Sequence, residues 1–325
     1  MTSPESPVYG LRVEELRPEA EGVVSLRLVQ PDGGPLPAWA PGAHLDVRLP
    51  SGLLRQYSLC GTPGDPTGYR IAVLREAEGR GGSLEIHDTP LVGRELGVRG
   101  PRNHFALIAA PRYLFLAGGI GITPILPMIR QASGRGVRWR LVYGGRTRAS
   151  MAFVDELLAL PGGEVELVPQ DEQGLLPLDR ILGATGDDTP VYCCGPEPMI
   201  KAVEEGCARH LPREALHVER FSATSSPKPP SPEPVDPETF EVELRRSDVV
   251  LQVPPDRTVL EVVRDVVPDM PSSCEEGFCG ACETTVLEGV PEHHDTILSD
   301  EERATCGTMM ICVGRSCSPR LVLDV

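Results

Sequence analysis

Three closely spaced cysteines near the C-terminus constrain the fold of this chain more than any other feature. Cys274, Cys279 and Cys282 follow the pattern C-x4-C-x2-C. That pattern is the spacing of three ligands of a plant-type [2Fe–2S] cluster, and the glycines at 277 and 280 allow backbone N–H groups to turn toward the sulfurs. A zinc site usually takes two C-x2-C pairs, and disulfides are typical of secreted chains. The sequence therefore predicts an iron–sulfur domain.

The fourth cluster ligand has three candidates by spacing alone, namely Cys306, Cys312 and Cys317. Cys312 lies in the apolar run 309–313, which favours a strand beneath a cluster. Cys306 follows an acidic stretch typical of a loop, and Cys317 lies in a turn-like RSCSP segment. Spacing leaves the choice open, and the cysteines that are not ligands are expected to be small buried hydrophobes.

Composition and charge narrow the function classes. The chain has 325 residues, enough for two or three domains, and its net charge of −16 argues against nucleic acid or an anionic membrane as partner. Residues 238–325 hold eighteen acidic and seven basic side chains, which predicts an acidic docking face, with ordinary solubility as the alternative. The N-terminus has no signal-peptide pattern, and ten cysteines favour the reducing cytoplasm.

Changes in pattern along the chain predict three domains and a linker. Residues 1–105 show short alternating strands separated by Gly and Pro, which is typical of an antiparallel barrel. Residues 106–222 alternate strands with helices, which predicts a doubly wound parallel sheet. Residues 223–237 contain six prolines and read as a linker, and residues 238–325 form the iron–sulfur domain.

Two segments of the predicted parallel sheet have the composition of a nucleotide site. Residues 118–124 read GGIGITP between a strand and a helix, where glycines and the helix N-terminus favour a pyrophosphate. Residues 194–196 read CGP at the end of a later strand. Ligands of such sheets bind beyond the carboxyl ends of the strands, so Thr123 and Cys194 are expected at one crevice. The alternative for residues 118–124 is a tight turn between strand and helix, and the alternative for Cys194 is simple packing.

The predicted barrel carries two weaker signals. Residues 55–58 read RQYS, in which arginine suits a phosphate, tyrosine a flat ring and serine a ring nitrogen. Residues 79–84 read GRGGSL and are able to open a helix that receives a phosphate. Each signal alone is weak, because such residues are usually found at the surface.

In this order, the motifs RQYS, GGS (81–83), GGIGITP, CGP and the cysteine pattern resemble the phthalate dioxygenase reductase family. The resemblance covers almost the whole chain. It implies an antiparallel FMN-binding β-barrel, a doubly wound nicotinamide domain of the ferredoxin reductase type that binds NADH, and a C-terminal β-grasp [2Fe–2S] ferredoxin domain. It also selects Cys312 as the fourth ligand.

The resemblance further implies which residues contact the cofactors. Arg55, Tyr57 and Ser58 would contact the flavin and its ribityl phosphate, and Phe221 would cover the flavin region. Thr123 and Cys194 would face the nicotinamide. Arg146 and Arg148 follow the second strand of the α/β domain, where arginine is able to hold a 2′-phosphate, so NADPH remains an alternative to NADH. The remaining cofactor-binding predictions are Gln56, Ala72, Val73, Leu74, Gly81, Gly82, Ser83, Gly118, Gly119, Gly121, Pro124, Gly195 and Pro196.

The function implied is that of a one-chain reductase that passes electrons from NADH to a separate Rieske-type oxygenase. No side chain of this chain needs to act as a general acid or base, because the redox chemistry belongs to the cofactors. A redox partner of a cytochrome P450 is the alternative among enzymes. A non-catalytic electron carrier or redox sensor is the alternative from another class.

Overall fold

The computed structural model describes residues 8–79, 81–221, 239–268, 270–272, 275, 277, 280–295, 297–298 and 300–325. Contacts divide the chain into two compact units, residues 1–221 and 222–325. The predicted linker 223–237 and the predicted ligands Cys274 and Cys279 lie outside the described residues. Within those ranges, no helix has the length and apolar character needed to cross a bilayer.

Six antiparallel strands and one helix form the first part of the first unit. These elements are β1 (Tyr9–Ala20), β2 (Val23–Val29), β3 (Ala43–Arg48), β4 (Leu54–Ser58), β5 (Tyr69–Leu74), α1 (Gly82–Asp88) and β6 (Glu95–Asn103). The sheet order is β4-β3-β6-β1-β2-β5. The chain after β4 rejoins β5 through a bridge between Leu59 and Ile71, so the sheet curls into a barrel around an apolar core.

A five-stranded parallel sheet with helices forms the rest of the first unit. Its elements are β7 (Arg112–Gly118), α2 (Ile122–Gly134), β8 (Arg138–Gly145), α3 (Val154–Leu158), β9 (Gly163–Pro169), α4 (Gln170–Gln173), α5 (Leu178–Gly183), β10 (Val191–Cys194), α6 (Glu197–His210) and β11 (Leu216–Glu219). The order is β11-β10-β7-β8-β9. Strand order reverses between β7 and β10, and such a switch point is where α/β sheets bind ligands.

The second unit contains a mixed sheet that packs against a helix. Its elements are β12 (Phe240–Leu244), β13 (Val249–Val253), α7 (Val259–Val263), β14 (Glu283–Glu288), β15 (Pro291–Glu292), α8 (Asp300–Thr305), β16 (Thr308–Met310), β17 (Arg315–Ser316) and β18 (Arg320–Leu323). The order is β13-β12-β18-β14-β16, with β12 and β18 parallel. Thr258 and Glu261 form a capping box at the start of α7. This arrangement is a β-grasp fold.

The predicted fold class is confirmed, and one local prediction is wrong. The run 309–313 was expected to be a strand, whereas β16 ends at Met310. The N–H groups of Val313 and Gly314 both donate to Met310 O, at 3.2 and 2.8 Å, and close a turn. Cys312 therefore lies in a turn. The expected domain boundary near residue 105 falls between β6 and β7 and remains a prediction.

Candidate functional site

Strand β4 carries the RQYS motif, and its side chains alternate between two faces. The Gln56 amide nitrogen donates to Asp46 Oδ1 at 2.9 Å. Because alternate residues of a strand face opposite sides, Arg55 and Tyr57 share the other face. Burial raises the pKa of the Tyr57 hydroxyl, so this phenol stays neutral at physiological pH. Gln56 is thus engaged with β3, away from the face of Arg55 and Tyr57.

Arg55 lies directly over the first residues of α1. A Cβ placed on Gly82 would lie 2.7 Å from Arg55 Cγ and 2.9 Å from its Nε. Gly81 precedes the helix with a φ of 82°, a conformation that favours glycine. Ser83 Oγ accepts from Glu76 N at 3.1 Å, so this hydroxyl contacts the loop before the helix. The guanidinium and the free N–H groups of the helix therefore converge, as a phosphate requires.

Strand β5 supplies an apolar wall. Ala72 and Val73 are buried and Leu74 is half-buried. His87 on α1 donates from Nε2 to Val73 O at 3.0 Å, which fixes the helix against the strand. These residues offer backbone and methyl groups to a ligand rather than charge.

Two glycine-rich turns contact each other at the switch point. A Cβ on Gly121 would lie 2.2 Å from Cys194 O, and one on Gly195 would lie 3.0 Å from Gly118 Cα. Close backbone approach therefore requires glycine at these positions. Gly119 differs, because a Cβ there would meet nothing within 4 Å, and its φ is +53°. The sequence prediction that both turns meet at one crevice agrees with this placement.

Residues beside the two glycine-rich turns are also held in place by local contacts. Thr123 is 2% exposed and donates from Oγ1 to Ile120 O at 3.0 Å. Pro124 lies in the first turn of α2, where its missing N–H costs nothing. Pro196 precedes α6, with its Cδ 2.7 Å from where a Gly118 Cβ would be.

A buried carboxyl joins the barrel to the parallel sheet, and sequence reasoning missed it. Ser58 Oγ donates to Glu219 Oε2 at 3.1 Å, and Glu219 pairs with Cys194 across β10 and β11. Burial raises the pKa of Glu219 to about 8, with the Ser58 hydrogen bond opposing this, and burial also raises the pKa of the Cys194 thiol. At neutral pH both groups are therefore mainly protonated. The available signal was a carboxylate closing the short strand LHVE, two residues before Phe221.

The segment after β11 is anchored by an ion-pair cluster. Arg220 donates to Glu204 at 2.7 Å and to Glu197 at 3.2 Å, and its side chain is largely buried. Phe221 follows directly and is 40% exposed. The anchor fixes the chain beside the Glu219 carboxyl, and the predicted covering role of Phe221 remains a prediction.

Arg146 and Arg148 lie beyond the carboxyl end of β8, where Gly144 pairs with Gly118 of the neighbouring strand β7. Both are exposed, and neither forms an ion pair within the described part of the chain. Arg146 O accepts from Asp171 N at 3.2 Å, which brings the first turn of α4 beside this loop. A role of these arginines in holding a 2′-phosphate stays a prediction.

The second unit brings two of the predicted cluster ligands together. Cys282 and Cys312 are each 2% exposed within one apolar core, and Ile311 N lies 3.5 Å from Cys282 O. Cys317 is exposed, and Cys306 ends the turn after α8 with a φ of 51°. Cys274 and Cys279 lie outside the described residues. This placement supports Cys312 over the two alternative ligands.

The donor sets fit the cofactors implied by the motifs. Arg55 over the N-terminus of α1 suits a flavin phosphate, and the apolar wall of β5 suits a flat ring. Two buried thiols inside the core suit an iron–sulfur cluster, whose iron is bound by cysteine sulfur. The chemistry of the residues therefore agrees with FMN in the barrel and [2Fe–2S] in the second unit.

Two protein families match separate parts of the chain. Residues 115–205 match the oxidoreductase NAD-binding domain, and residues 242–317 match the 2Fe-2S iron-sulfur cluster binding domain. The first match covers the glycine-rich turns at the switch point. The second covers Cys274, Cys279, Cys282 and Cys312.

Full-length relatives are also similar to this chain. The phenoxybenzoate dioxygenase subunit beta of Ectopseudomonas oleovorans is 40% identical over 97% of both chains. The phthalate 4,5-dioxygenase oxygenase reductase subunit of Pseudomonas putida is 38% identical over 97% of this chain and 96% of its own.

Solved structures give the same architecture. Phthalate dioxygenase reductase, described as modular for electron transfer from pyridine nucleotides to [2Fe-2S], has a TM-score of 0.69 at 36% identity, covering 98% of both chains. An intact type IV self-sufficient cytochrome P450 monooxygenase has a TM-score of 0.86 at 41% identity and covers all of this chain. This chain spans only 42% of that P450.

Proposed function

This chain belongs to the phthalate dioxygenase reductase family, and we propose that it is the NADH-dependent reductase component of a multicomponent oxygenase. Its electrons would pass to a separate Rieske-type oxygenase. When bound, FMN would supply a group able to accept a hydride and release its electrons singly, and the [2Fe–2S] cluster would supply single-electron transfer. The chain's own residues bind, orient and shield these groups.

The barrel residues would hold the flavin. Arg55 and the N–H groups at Gly81 and Gly82 would bind its phosphate, because they converge at one helix end. Tyr57 and the β5 segment 72–74 would contact the ring. Ser83 would join the phosphate contacts by releasing Glu76 N, with which it is bonded here.

The turns at the switch point would hold the nicotinamide nucleotide. Residues 118–124 would bind the pyrophosphate at the N-terminus of α2, with Thr123 and Cys194 facing the nicotinamide. Residues 194–196 would form the opposite wall. Ser58 and Glu219 meet between the two proposed sites, where a neutral carboxyl adds no charge that would repel a hydride donor or acceptor.

The second unit would carry the cluster on Cys274, Cys279, Cys282 and Cys312. The domain limits that we propose are 1–105 for the flavin barrel, 106–222 for the nicotinamide domain, 223–237 for the linker and 238–325 for the ferredoxin domain. Ten cysteines, of which four would be cluster ligands, favour the cytoplasm as the site of action.

The observation that carries the proposal is the convergence of Ser58, Glu219 and Cys194 from barrel and parallel sheet. As a test, we would add NADH anaerobically, without any partner, to the purified protein, which we expect to be yellow-brown. We expect the flavin and cluster absorbance to bleach. An unchanged spectrum would contradict the enzyme and favour a non-catalytic electron carrier or redox sensor.

A cytochrome P450 is the second candidate partner, because the P450 structure described above contains a segment with this fold at 41% identity. The two partners are distinguished by turnover. We expect this chain with NADH to support product formation by a purified Rieske-type oxygenase. Product formation by a P450 alone would instead establish the alternative.

A further inference from the structure

An ion-pair network joins helix α2 to both strands that would hold the flavin. Arg130 on α2 donates from NH1 to Cys60 O at 2.6 Å and to Gly61 O at 2.5 Å, on the chain just beyond β4. Its NH2 group contacts Glu156 on α3. The Arg130 side chain is 12% exposed and that of Glu156 is 35% exposed, so these contacts are partly shielded from water.

The same network continues into β5. Glu156 Oε2 lies 3.3 Å from Arg70 NH1, and Arg70 NH2 donates to Glu19 Oε1 at 2.7 Å. Cys60 N donates to Arg70 O at 2.8 Å, which links the chain after β4 to β5. One carboxylate therefore bridges two arginines, one from the parallel sheet and one from the barrel.

A strained residue supports the same contact. Phe153 is the N-cap of α3 and has a φ of 62°, a left-handed conformation that strains a non-glycine residue. The ring is buried, and Arg70 Cζ lies 4.7 Å from its centroid. Such strain persists only where the surroundings fix the residue. The strained backbone here presents an aromatic face to the barrel arginine.

We propose that Arg130, Glu156 and Arg70 form a clamp that sets the position of the flavin relative to the nicotinamide. The inference rests on the proposed function. Arg130 lies seven residues after Thr123 on one helix, about 10 Å along its axis. One helix, with Pro127 between the two points, thus carries both the nucleotide turn and the anchor of the flavin strands. These three are positioning residues, since none contacts the proposed cofactor sites.

The clamp predicts a defect in hydride transfer without a matching defect in binding. Misplacement of reacting groups by about 1 Å costs roughly 10²-fold in rate. In Glu156→Gln and Arg130→Met we expect the limiting rate of flavin reduction by NADH to fall roughly 10- to 100-fold. Flavin content and the Kd for NADH should stay within about twofold, because the binding groups are intact. Arg130→Lys should recover part of the rate, since lysine keeps the charge but loses the fork.

The experiment is anaerobic stopped-flow reduction of the full-length holoprotein over a series of NADH concentrations. Arg135→Met and Asp155→Asn are the matched controls, because Arg135 directly follows α2, Asp155 lies on α3, and both side chains are exposed and form no ion pair within the described residues. Reduction by dithionite, which does not use the nucleotide site, should be equally fast in all variants. The double variant should be no slower than the slower single variant, as expected for one coupled unit.

Unchanged limiting rates in Glu156→Gln and Arg130→Lys with full flavin content would overturn the clamp, and so would a higher Kd for NADH at an unchanged rate. If Arg130→Met does not fold, these two variants decide the outcome. Failure of NADH to reduce the wild-type protein would instead contradict the proposed function, so the two failures are distinguishable.

Discussion

Glu219 shows how one residue acquires a property that its sequence position does not reveal. Its side chain is half-buried and accepts a hydrogen bond from Ser58, and desolvation of the carboxyl raises its pKa to about 8. The unperturbed value is 4.5, so between these two values the native state holds a proton that the unfolded chain releases. The Glu219 carboxyl therefore makes its full contribution to stability below about pH 4.5, and this contribution is lost as the pH rises toward 8.

We predict that the free energy of unfolding of the first unit falls between about pH 4.5 and pH 8, and that Glu219→Gln reduces this fall. Each pKa unit is worth about 1.4 kcal/mol, so the difference between wild type and variant should reach a few kcal/mol at most. Urea unfolding followed by tryptophan fluorescence measures it, because Trp39 and Trp139 both lie in the first unit. Equal pH dependence of the two proteins would show that Glu219 titrates normally.

Substitution of single cysteines by serine distinguishes the three candidates for the fourth cluster ligand. Cys312 is buried beside Cys282, whereas Cys317 is exposed and Cys306 ends a helix turn. We expect Cys312→Ser to lose the visible absorbance and the iron of the cluster. Cys306→Ser and Cys317→Ser, which are matched in size and chemistry, should keep about two irons per chain. Loss of iron in either control with retention in Cys312→Ser would reassign the ligand.

At the scale of elements, the two glycine-rich turns serve packing as much as ligand binding. Gly121 has no room for a Cβ, whereas Gly119 has room but a left-handed φ. We expect Gly121→Ala to separate the turns, with a loss of about 1–3 kcal/mol in stability and a clear rise in the Kd for NADH. Gly119→Ala should cost about 1–2 kcal/mol by strain alone.

Gly134→Ala provides the control for this comparison. Gly134 ends α2, has open space around it and has no positive φ. Alanine there should leave NADH binding unchanged and alter stability by at most about 1 kcal/mol, in the stabilising direction. Titration of NADH against the three variants and thermal unfolding give both quantities. Equal effects of the alanines at 119 and 121 would argue against packing as the distinguishing factor.

Periodicity predicted the two parts of the first unit, because the alternating strands expected in residues 1–105 correspond to β1–β6, and the alternating strands and helices expected in residues 106–222 correspond to β7–β11 and their helices. It failed at 309–313, where an apolar run forms a turn because Met310 O accepts two N–H groups. Apolar composition reports burial but does not distinguish a buried turn from a buried strand.

The site was predictable only as far as short motifs extend. The RQYS, GGIGITP and CGP segments each lie in one stretch of chain, and the structure brings the GGIGITP and CGP turns into contact. Glu219 pairs with Ser58, which lies 161 positions earlier, and no local pattern encodes such a pairing. The Arg130–Glu156–Arg70 clamp was missed for the same reason. Charged side chains are usually expected at the surface, and these three become half-buried ion-pair partners only where the barrel packs against the parallel sheet.

At the scale of the whole molecule, charge is distributed unevenly between the two units. Residues 238–325 carry a net charge of −11, whereas residues 1–237 carry only −5. The excess of negative charge lies on the second unit, which would hold the cluster and deliver electrons to the partner. A negative electrostatic field is therefore expected around the cluster-bearing unit. Such a field accelerates encounter with a basic partner and slows encounter with an acidic one.

Electron delivery should therefore depend on salt with a sign set by the acceptor. With NADH in excess, we expect reduction of the basic protein cytochrome c to slow steadily as ionic strength rises, because the Debye length shrinks from about 8 Å at 0.15 M to about 3 Å at 1 M. Ferricyanide, a small anion, should show the opposite trend. Flavin reduction by NADH, followed without an acceptor, measures any effect of salt on the earlier step. A flat response with both acceptors would mean that the acidic excess serves solubility and does not steer docking.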